Sequence, residues 1–238
     1  SLPDRKRSLS KLMPAKQKDM LNMSVSPFAW DDDAERMHVV KANVERYQLA
    51  LFYVNHCGAQ TELLFDGGSL IFSPDGQVHD ELPYFKEAIR TYELEDVIRG
   101  GIQHEQLKDK NRLIHDSLVM GIGDYFRKLG FKKAILGLSG GIDSALSTVL
   151  AVRALGKENV RVLLMPSSFS SQHSVDDARK LAENLDIQYD IIPISTVYDS
   201  YLETLNPYFN DLPFNVTEEN IDRKSTRLNP VTSVNLVC

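Results

Sequence analysis

Gly137-Leu138-Ser139-Gly140-Gly141-Ile142-Asp143-Ser144 follows a short apolar run, Ala134 to Leu138, and opens a stretch of helical text, Asp143 to Leu155, closed by Gly156. An apolar run of that length bounded by Gly reads as a buried strand, so the octet stands where a strand ends and a helix begins. The carboxyl end of a parallel strand faces the ligand crevice of an open α/β sheet. The helix that follows offers unpaired N–H groups and a partial positive charge to an anion. Gly140 and Gly141 carry no side chain, so the backbone can approach a phosphate, while Ser139 and Ser144 add hydroxyl donors. Asp143 sets a carboxylate beside that anion, an arrangement that a bridging Mg2+ turns from repulsive to favourable. The octet, Gly137 through Ser144, therefore predicts a nucleotide-phosphate site with Asp143 as metal ligand. A Gly-Gly turn before a polar helix start is also an ordinary strand-to-helix connection, but six positions agree here in the context the motif requires. The chain has no Gly-Lys-Ser/Thr loop and no Gly-x-Gly-x-x-Gly, which sets aside P-loop kinases and dinucleotide-linked hydride transfer.

Outward from the octet the text alternates. Downstream, Val160 to Met165 reads as a strand closed by Pro166, Ser174 to Leu185 as a helix, Ile187 to Ile194 as a strand interrupted late by Pro193, and Thr196 to Leu205 as a further helix. Upstream, Ile114, Leu118, Ile122, Tyr125 and Leu129 make an apolar stripe at helical spacing, ended by Gly130. Such alternation predicts a doubly wound parallel sheet with right-handed crossovers. Farther upstream the pattern changes. Met20 to Val25 reads as a strand, Ser26-Pro27 breaks it, and Asp31-Asp32-Asp33 caps a helix from about Ala34 to Tyr47. Met37, Val40, Val44 and Tyr47 share one face of that helix. Leu49 to Asn55, Glu62 to Phe65 and Ser69 to Ser73 read as strands, with turns at Gly67-Gly68 and Pro74-Asp75-Gly76. The polar text from Thr91 to Asp109 reads as a linker holding a domain boundary, and residues 1 to 18, basic and weakly patterned, receive no structure.

The 238 residues are 42% hydrophobic and 25% charged, as in a soluble globular protein. A net charge of -6 gives no broad basic field, which argues against a nucleic-acid partner. No apolar run approaches the roughly 18 residues that span a bilayer. The start of the chain has basic residues without an apolar core behind them, unlike a secretory signal, and it lacks an initiator Met. Two cysteines, Cys57 and Cys238, make neither a metal set nor a disulfide framework. Together these features predict a cytoplasmic location.

Ser139-Gly140-Gly141-Ile142-Asp143-Ser144 after a strand resembles the signature of the ATP pyrophosphatase families, which cut ATP between its α and β phosphates. Met165-Pro166-Ser167-Ser168-Phe169-Ser170-Ser171-Gln172-His173-Ser174 followed by Asp177-Ala178 is similar to NAD synthetases in particular. Ser24-Val25-Ser26-Pro27-Phe28 and the stretch Tyr53-Val54-Asn55-His56-Cys57-Gly58-Ala59-Gln60 through Ser69 resemble the later part of the nitrilase-type amidase domain fused to glutamine-dependent NAD synthetases. The likeness covers roughly residues 19 to 221. It implies an α/β chain: the end of an αββα nitrilase-like domain (19–97), a linker (98–110) and the first part of a doubly wound ATP pyrophosphatase domain (111–221). It further implies a carbon–nitrogen ligase that uses ATP and Mg2+ to amidate deamido-NAD with ammonia from glutamine, in a homo-oligomer of the full-length family.

By the same resemblance, Leu163, Leu164 and Met165 are adenine contacts and Ser26 a glutamine-binding position, although Asp31-Asp32-Asp33 stands where a basic residue is often found nearby. Cys57 is not the amidase nucleophile. The family's Glu-Lys-Cys set precedes the strand matching Met20 to Val25, and Cys57 reads as a small buried hydrophobe. His173 reads as a surface or capping histidine, and Ser174 as a helix cap. Glu218-Glu219-Asn220-Ile221 matches the family, but Asp222-Arg223-Lys224-Ser225-Thr226-Arg227-Leu228-Asn229 does not. Those residues are what GAT CGG AAG AGC ACA CGT CTG AAC encodes, which resembles a sequencing-library adapter. The expectation is a parent protein truncated at both ends, with 222–238 a non-native tail and no synthetase turnover by the chain itself; another ATP pyrophosphatase amidotransferase and a non-catalytic ATP-binding fragment are the alternative readings.

Overall fold

The computed structural model describes residues 19–29, 32–100, 109–209 and 235–236, so most of the 1–18 and 222–238 segments lies outside the described residues. The chain divides into two compact units, residues 1–121 and 122–238.

In the first unit, β1 (Asp19–Ser24), α1 (Asp32–Tyr47) and β2 (Ala50–Asn55) form a parallel crossover, Met20 pairing with Leu51 and Ser24 with Asn55. The hairpin β3 (Cys57–Gln60) and β4 (Leu63–Asp66) follows, turned by Thr61 at φ 55. Next come β5 (Leu70–Phe72), β6 (Val78–Glu81) and the short helix α2 (Leu94–Arg99). The main sheet has the order β1-β2-β5-β6, antiparallel after its first pair. Alternation along the strands sends Leu51, Tyr53, Leu70 and Phe72 to one face, where Val40 and Val44 of α1 cover them with Met37 and Tyr47 at the margin. Ala50 and Ile71 face the other way and meet Val97 of α2. The Ser73–Gly76 turn closes as its composition requires, Gly76 N–H donating to Ser73 O at 2.9 Å and Gln77 N–H to Asp75 Oδ1 at 3.1 Å.

The linker expectation needs correction at 98–99. Leu94–Arg99 is helical and Val97 is fully buried, because Tyr92, Leu94 and Val97 supply an apolar set that the many charges around them mask in the text. Residues 101–108 lie outside the described residues, and the division between units falls at Gly121/Ile122, within the next helix, α3 (Lys110–Leu129). Two strands of the first unit escaped the sequence reading, β3 and β6. Cys-Gly-Ala-Gln and Val-His-Asp-Glu have little β character, and His79, Asp80 and Glu81 are nonetheless buried.

Asp80 shows why a charge is tolerated there. It accepts from the Arg90 guanidinium, from Tyr92 Oη at 2.7 Å and from Glu81 N–H at 2.8 Å. Burial alone would raise its pKa, but the Arg90 and Tyr92 hydrogen bonds outweigh that and hold the carboxyl below its usual range. Burial, and then the bond to Asp80, push the Tyr92 phenol up to about 12. A raised folded-state pKa stabilises the protonated form, so this contribution is complete below the ordinary value of about 10 and is lost as pH climbs through about 12. Tyr92→Phe is therefore expected to flatten the alkaline fall in unfolding free energy over that interval. Urea titrations at stepped pH would read it, and an unchanged slope would refute the assignment.

In the second unit, β7 (Ala134–Gly137), α4 (Ile142–Leu155), β8 (Val160–Leu164), α5 (Gln172–Asn184), β9 (Gln188–Ile191) and α6 (Ser195–Phe209) alternate, and β10 (Asn235–Leu236) adds a two-residue strand. The sheet order is β10-β7-β8-β9 and every pairing is parallel. Leu136, Leu138, Val162 and Leu164 pack with Ala151 of α4, with Ala178 and Ala182 of α5 and with Phe126 of α3. The apolar stripe of α3 is offset from its expected line: Leu118, Tyr125 and Leu129 are exposed, and Phe126 enters the core instead. Past the helix end the chain folds back on this core residue. Phe131 N–H donates to Phe126 O at 2.8 Å past Gly130, and the two rings meet edge-on.

Candidate functional site

At the carboxyl end of β7 the chain leaves the sheet after one more ladder bond, Leu138 N–H to Leu163 O at 2.9 Å. Leu138 is buried at 3% exposure, so its side chain belongs to the core and only its backbone reaches the loop. Ser139 and Ser144 then close the loop on itself. Ser139 N–H donates to Ser144 Oγ at 3.2 Å, the two hydroxyls lie 3.0 Å apart, Gly141 N–H donates to Ser139 Oγ at 3.3 Å, and Ser144 Oγ donates to Gly141 O at 3.0 Å. Gly141 is the N-cap of α4 and supplies no capping side chain. The N–H groups of Ile142, Asp143 and Ser144 open the helix and have no acceptor within it, which leaves them with the positive end of the dipole at an exposed surface.

Gly140 is held from outside the loop. It has φ +82, and a Cβ placed there would lie 2.2 Å from the backbone O of Ser174 in the first turn of α5. That turn is capped by Ser171 and not, as expected, by Ser174: Ser174 N–H donates to Ser171 Oγ at 3.2 Å. The cap lies three residues earlier because Ser171 takes the extended backbone of an N-cap, with φ -70 and ψ 145. His173 is 83% exposed with Nδ1 3.1 Å from Asp177 Oδ2, a surface position. The Ser-x-x-Ser spacing of Ser171 and Ser174 was the available signal for the cap; the Gly140 seat had none, since it is made by a backbone carbonyl.

Asp143 is exposed in the first turn of α4 and has no ion pair or side-chain hydrogen bond among the described residues. No cluster of three or more His, Cys, Asp or Glu suited to a metal occurs among them either. A single free carboxylate nevertheless suits Mg2+, which takes its remaining ligands from phosphates and water. Of the expected adenine contacts, Leu164 is 2% exposed within the core, while Leu163 and Met165 are half-buried and Met165 lies beside Gly137. Phe169 and Tyr198 meet edge-on at 5.6 Å downstream of them. On the flanking strands Arg161 grips Asp190 through two bonds of 2.5 and 2.7 Å, which holds the Asp190 carboxyl below its ordinary pKa.

Within the first unit, Ser26 is half-buried and its N–H donates to Asn55 Oδ1 at 3.2 Å. Asn55 Nδ2 donates in turn to Asp66 Oδ1 at 2.7 Å and to Gly67 O at 3.0 Å. Arg36 grips Asp66 with both terminal nitrogens, at 3.1 and 2.8 Å. This buried network went unnoticed in the sequence because its members are 11 to 30 residues apart. Cys57 is half-buried on β3 against Gly67. Asp32 and Asp33 begin α1, and position 31 lies outside the described residues.

Residues 114–229 match the NAD synthase family model. The glutamine-dependent NAD(+) synthetase of Synechocystis is 40% identical over 86% of this chain and 37% of its own length. That of Thermotoga maritima is 35% identical over 85% of the chain and 41% of its own length. Among solved structures, glutamine-dependent NAD+ synthetase from Acinetobacter baumannii in complex with ADP superposes with a TM-score of 0.81 at 32% identity, over 87% of this chain and 40% of that one. The chain thus spans about two fifths of the length of the relatives it matches. A mixed sheet unit followed by a parallel one carrying a Ser-Gly-Gly-x-Asp-Ser loop is the end of a nitrilase-like domain and the start of an ATP pyrophosphatase domain, and the chain belongs to the glutamine-dependent NAD(+) synthetase family.

Proposed function

We propose that the parent protein amidates deamido-NAD to NAD, drawing ammonia from glutamine, and that residues 137–144 hold the phosphates of ATP in that reaction. The observation that carries the reading is the exposed loop at the end of β7, which sets the uncapped N–H groups of α4 beside the hydroxyls of Ser139 and Ser144. The nicotinate carboxylate attacks the α-phosphorus of ATP and pyrophosphate departs toward this loop. Ammonia then attacks the adenylated carbonyl and AMP leaves. The loop's fixed donors take up charge on the departing group. Asp143 is the residue of this chain that would hold Mg2+, which when bound supplies charge neutralisation on the transferring phosphate.

The same reading gives domain limits of 19–99 on the amidase side, α2 included, and 111 onward on the synthetase side, where the family match runs through residue 229. Met165 and Leu163 border the adenine and Ser26 the glutamine, in a cytoplasmic homo-oligomer.

Calorimetry with ATP, with and without Mg2+, tests the loop. Asp143→Asn is expected to weaken Mg2+-ATP binding by about tenfold. The same change should leave Mg2+-free ATP unaffected or tighter, because the lone carboxylate repels bare phosphate. Equal effects in both titrations would dismiss Asp143 as the metal ligand, and absence of binding by the unsubstituted chain would dismiss the phosphate site.

A further inference from the structure

We infer that Ser171 is a positioning residue for the phosphate loop, acting through the first turn of α5; the inference rests on reading 137–144 as the ATP loop. The hydrogen bonds around Ser139 and Ser144 are internal to the loop and fix its shape. They do not fix where that shape sits. Gly141 offers no capping side chain, so α4 lacks the anchor that most helix starts carry. The external stop is the Ser174 carbonyl, so close to Gly140 that no side chain fits between them.

Where that carbonyl lies is set by Ser171. Its Oγ accepts from Ser174 N–H at 3.2 Å and lies 2.8 Å from Ser174 Oγ, while its own C=O accepts from Val175 N–H at 3.3 Å. Removing the hydroxyl leaves the first donors of α5 to water, and the turn frays. A frayed turn moves the seat of Gly140, and the orphan donors of α4 move with it. Ser171 touches no reacting atom in this scheme, and its effect on nucleotide passes entirely through the Ser174 backbone.

The test compares the full chain with Ser171→Ala, Ser171→Thr and Asn159→Ala. The last removes the Nδ2 bond to Leu155 O at the far end of α4 and serves as a control for general loss of stability. Two readouts are taken well below the melting midpoint: the dissociation constant for Mg2+-ATP, and amide exchange at Ser139 and Gly141, whose N–H groups are bonded inside the loop. Ser171→Ala is expected to raise the dissociation constant about five- to tenfold and to speed exchange at both amides, with Ser171→Thr and Asn159→Ala close to the parent chain. Faster exchange in the α5 turn with unchanged exchange at Ser139 and Gly141 overturns the inference, as does an equal weakening by Asn159→Ala. If the parent chain binds no ATP the phosphate reading falls alone, and the exchange comparison still decides whether Ser171 positions the loop.

Discussion

Replacing Gly140 by Ala is expected to abolish nucleotide binding and to lower the stability of the second unit by about 2 kcal/mol or more. A non-glycine residue in the left-handed region costs roughly 1–2 kcal/mol before any contact is considered. The new methyl would also sit 2.2 Å from the Ser174 carbonyl oxygen, a backbone atom that cannot rotate aside. Either the loop leaves its seat or the first turn of α5 does, and in both cases the donors at the start of α4 lose their alignment. Gly141→Ala is the contrasting change. Gly141 has φ -84 and ψ 158, open to any residue, and a Cβ there meets only Ser139 Oγ at 3.4 Å. Its effect should stay within about 1 kcal/mol. Amide exchange across the second unit together with calorimetry would measure both, and a Gly140→Ala chain that binds as the parent does would show that the seat is not required.

The second large effect lies in the first unit. Arg36→Ala is expected to destabilise it by about 3–5 kcal/mol, because Asp66 would be left charged and buried without its partner. The Arg36 and Asp66 side chains are only 11% and 4% exposed, and the guanidinium also lies over the Tyr53 ring at 5.9 Å. Arg36→Met combined with Asp66→Asn removes both charges and keeps most of the volume, so the double variant should lose far less than Arg36→Ala alone. Amide exchange followed within residues 32–100 across a urea titration reports on that unit by itself. A double variant as unstable as Arg36→Ala would indicate that packing, not stranded charge, sets the loss.

Both effects also mark how far the sequence could be read. The parallel unit was legible because each of its strands is a short apolar run and each helix has the matching period, so β7 through α6 came within a few residues of their expected limits. The turn from β7 into α4 was legible because a dense local pattern, Ser139 to Ser144, specifies it. Pattern failed where burial is settled by partners distant in sequence. Val-His-Asp-Glu became a buried strand at the end of the β1-β2-β5-β6 order because Arg90, Tyr92 and Tyr84 arrive to satisfy its carboxylates. Asn55 and Asp66 were invisible as a site support until Arg36 was brought to them. In α3 the core took Phe126, beside the stripe that the apolar spacing had marked, while Leu118, Tyr125 and Leu129 stayed exposed.

The contact between Gly140 and Ser174 also bears on how this loop can drift through evolution. Position 140 tolerates glycine alone, yet the atom that imposes this is a main-chain oxygen present whatever residue occupies position 174. Among relatives, position 140 should thus be invariant while showing no covariation with its spatial neighbour. A method that infers contacts from correlated substitutions would miss this one, and the site's strictest steric constraint would leave its record as silence at a single column.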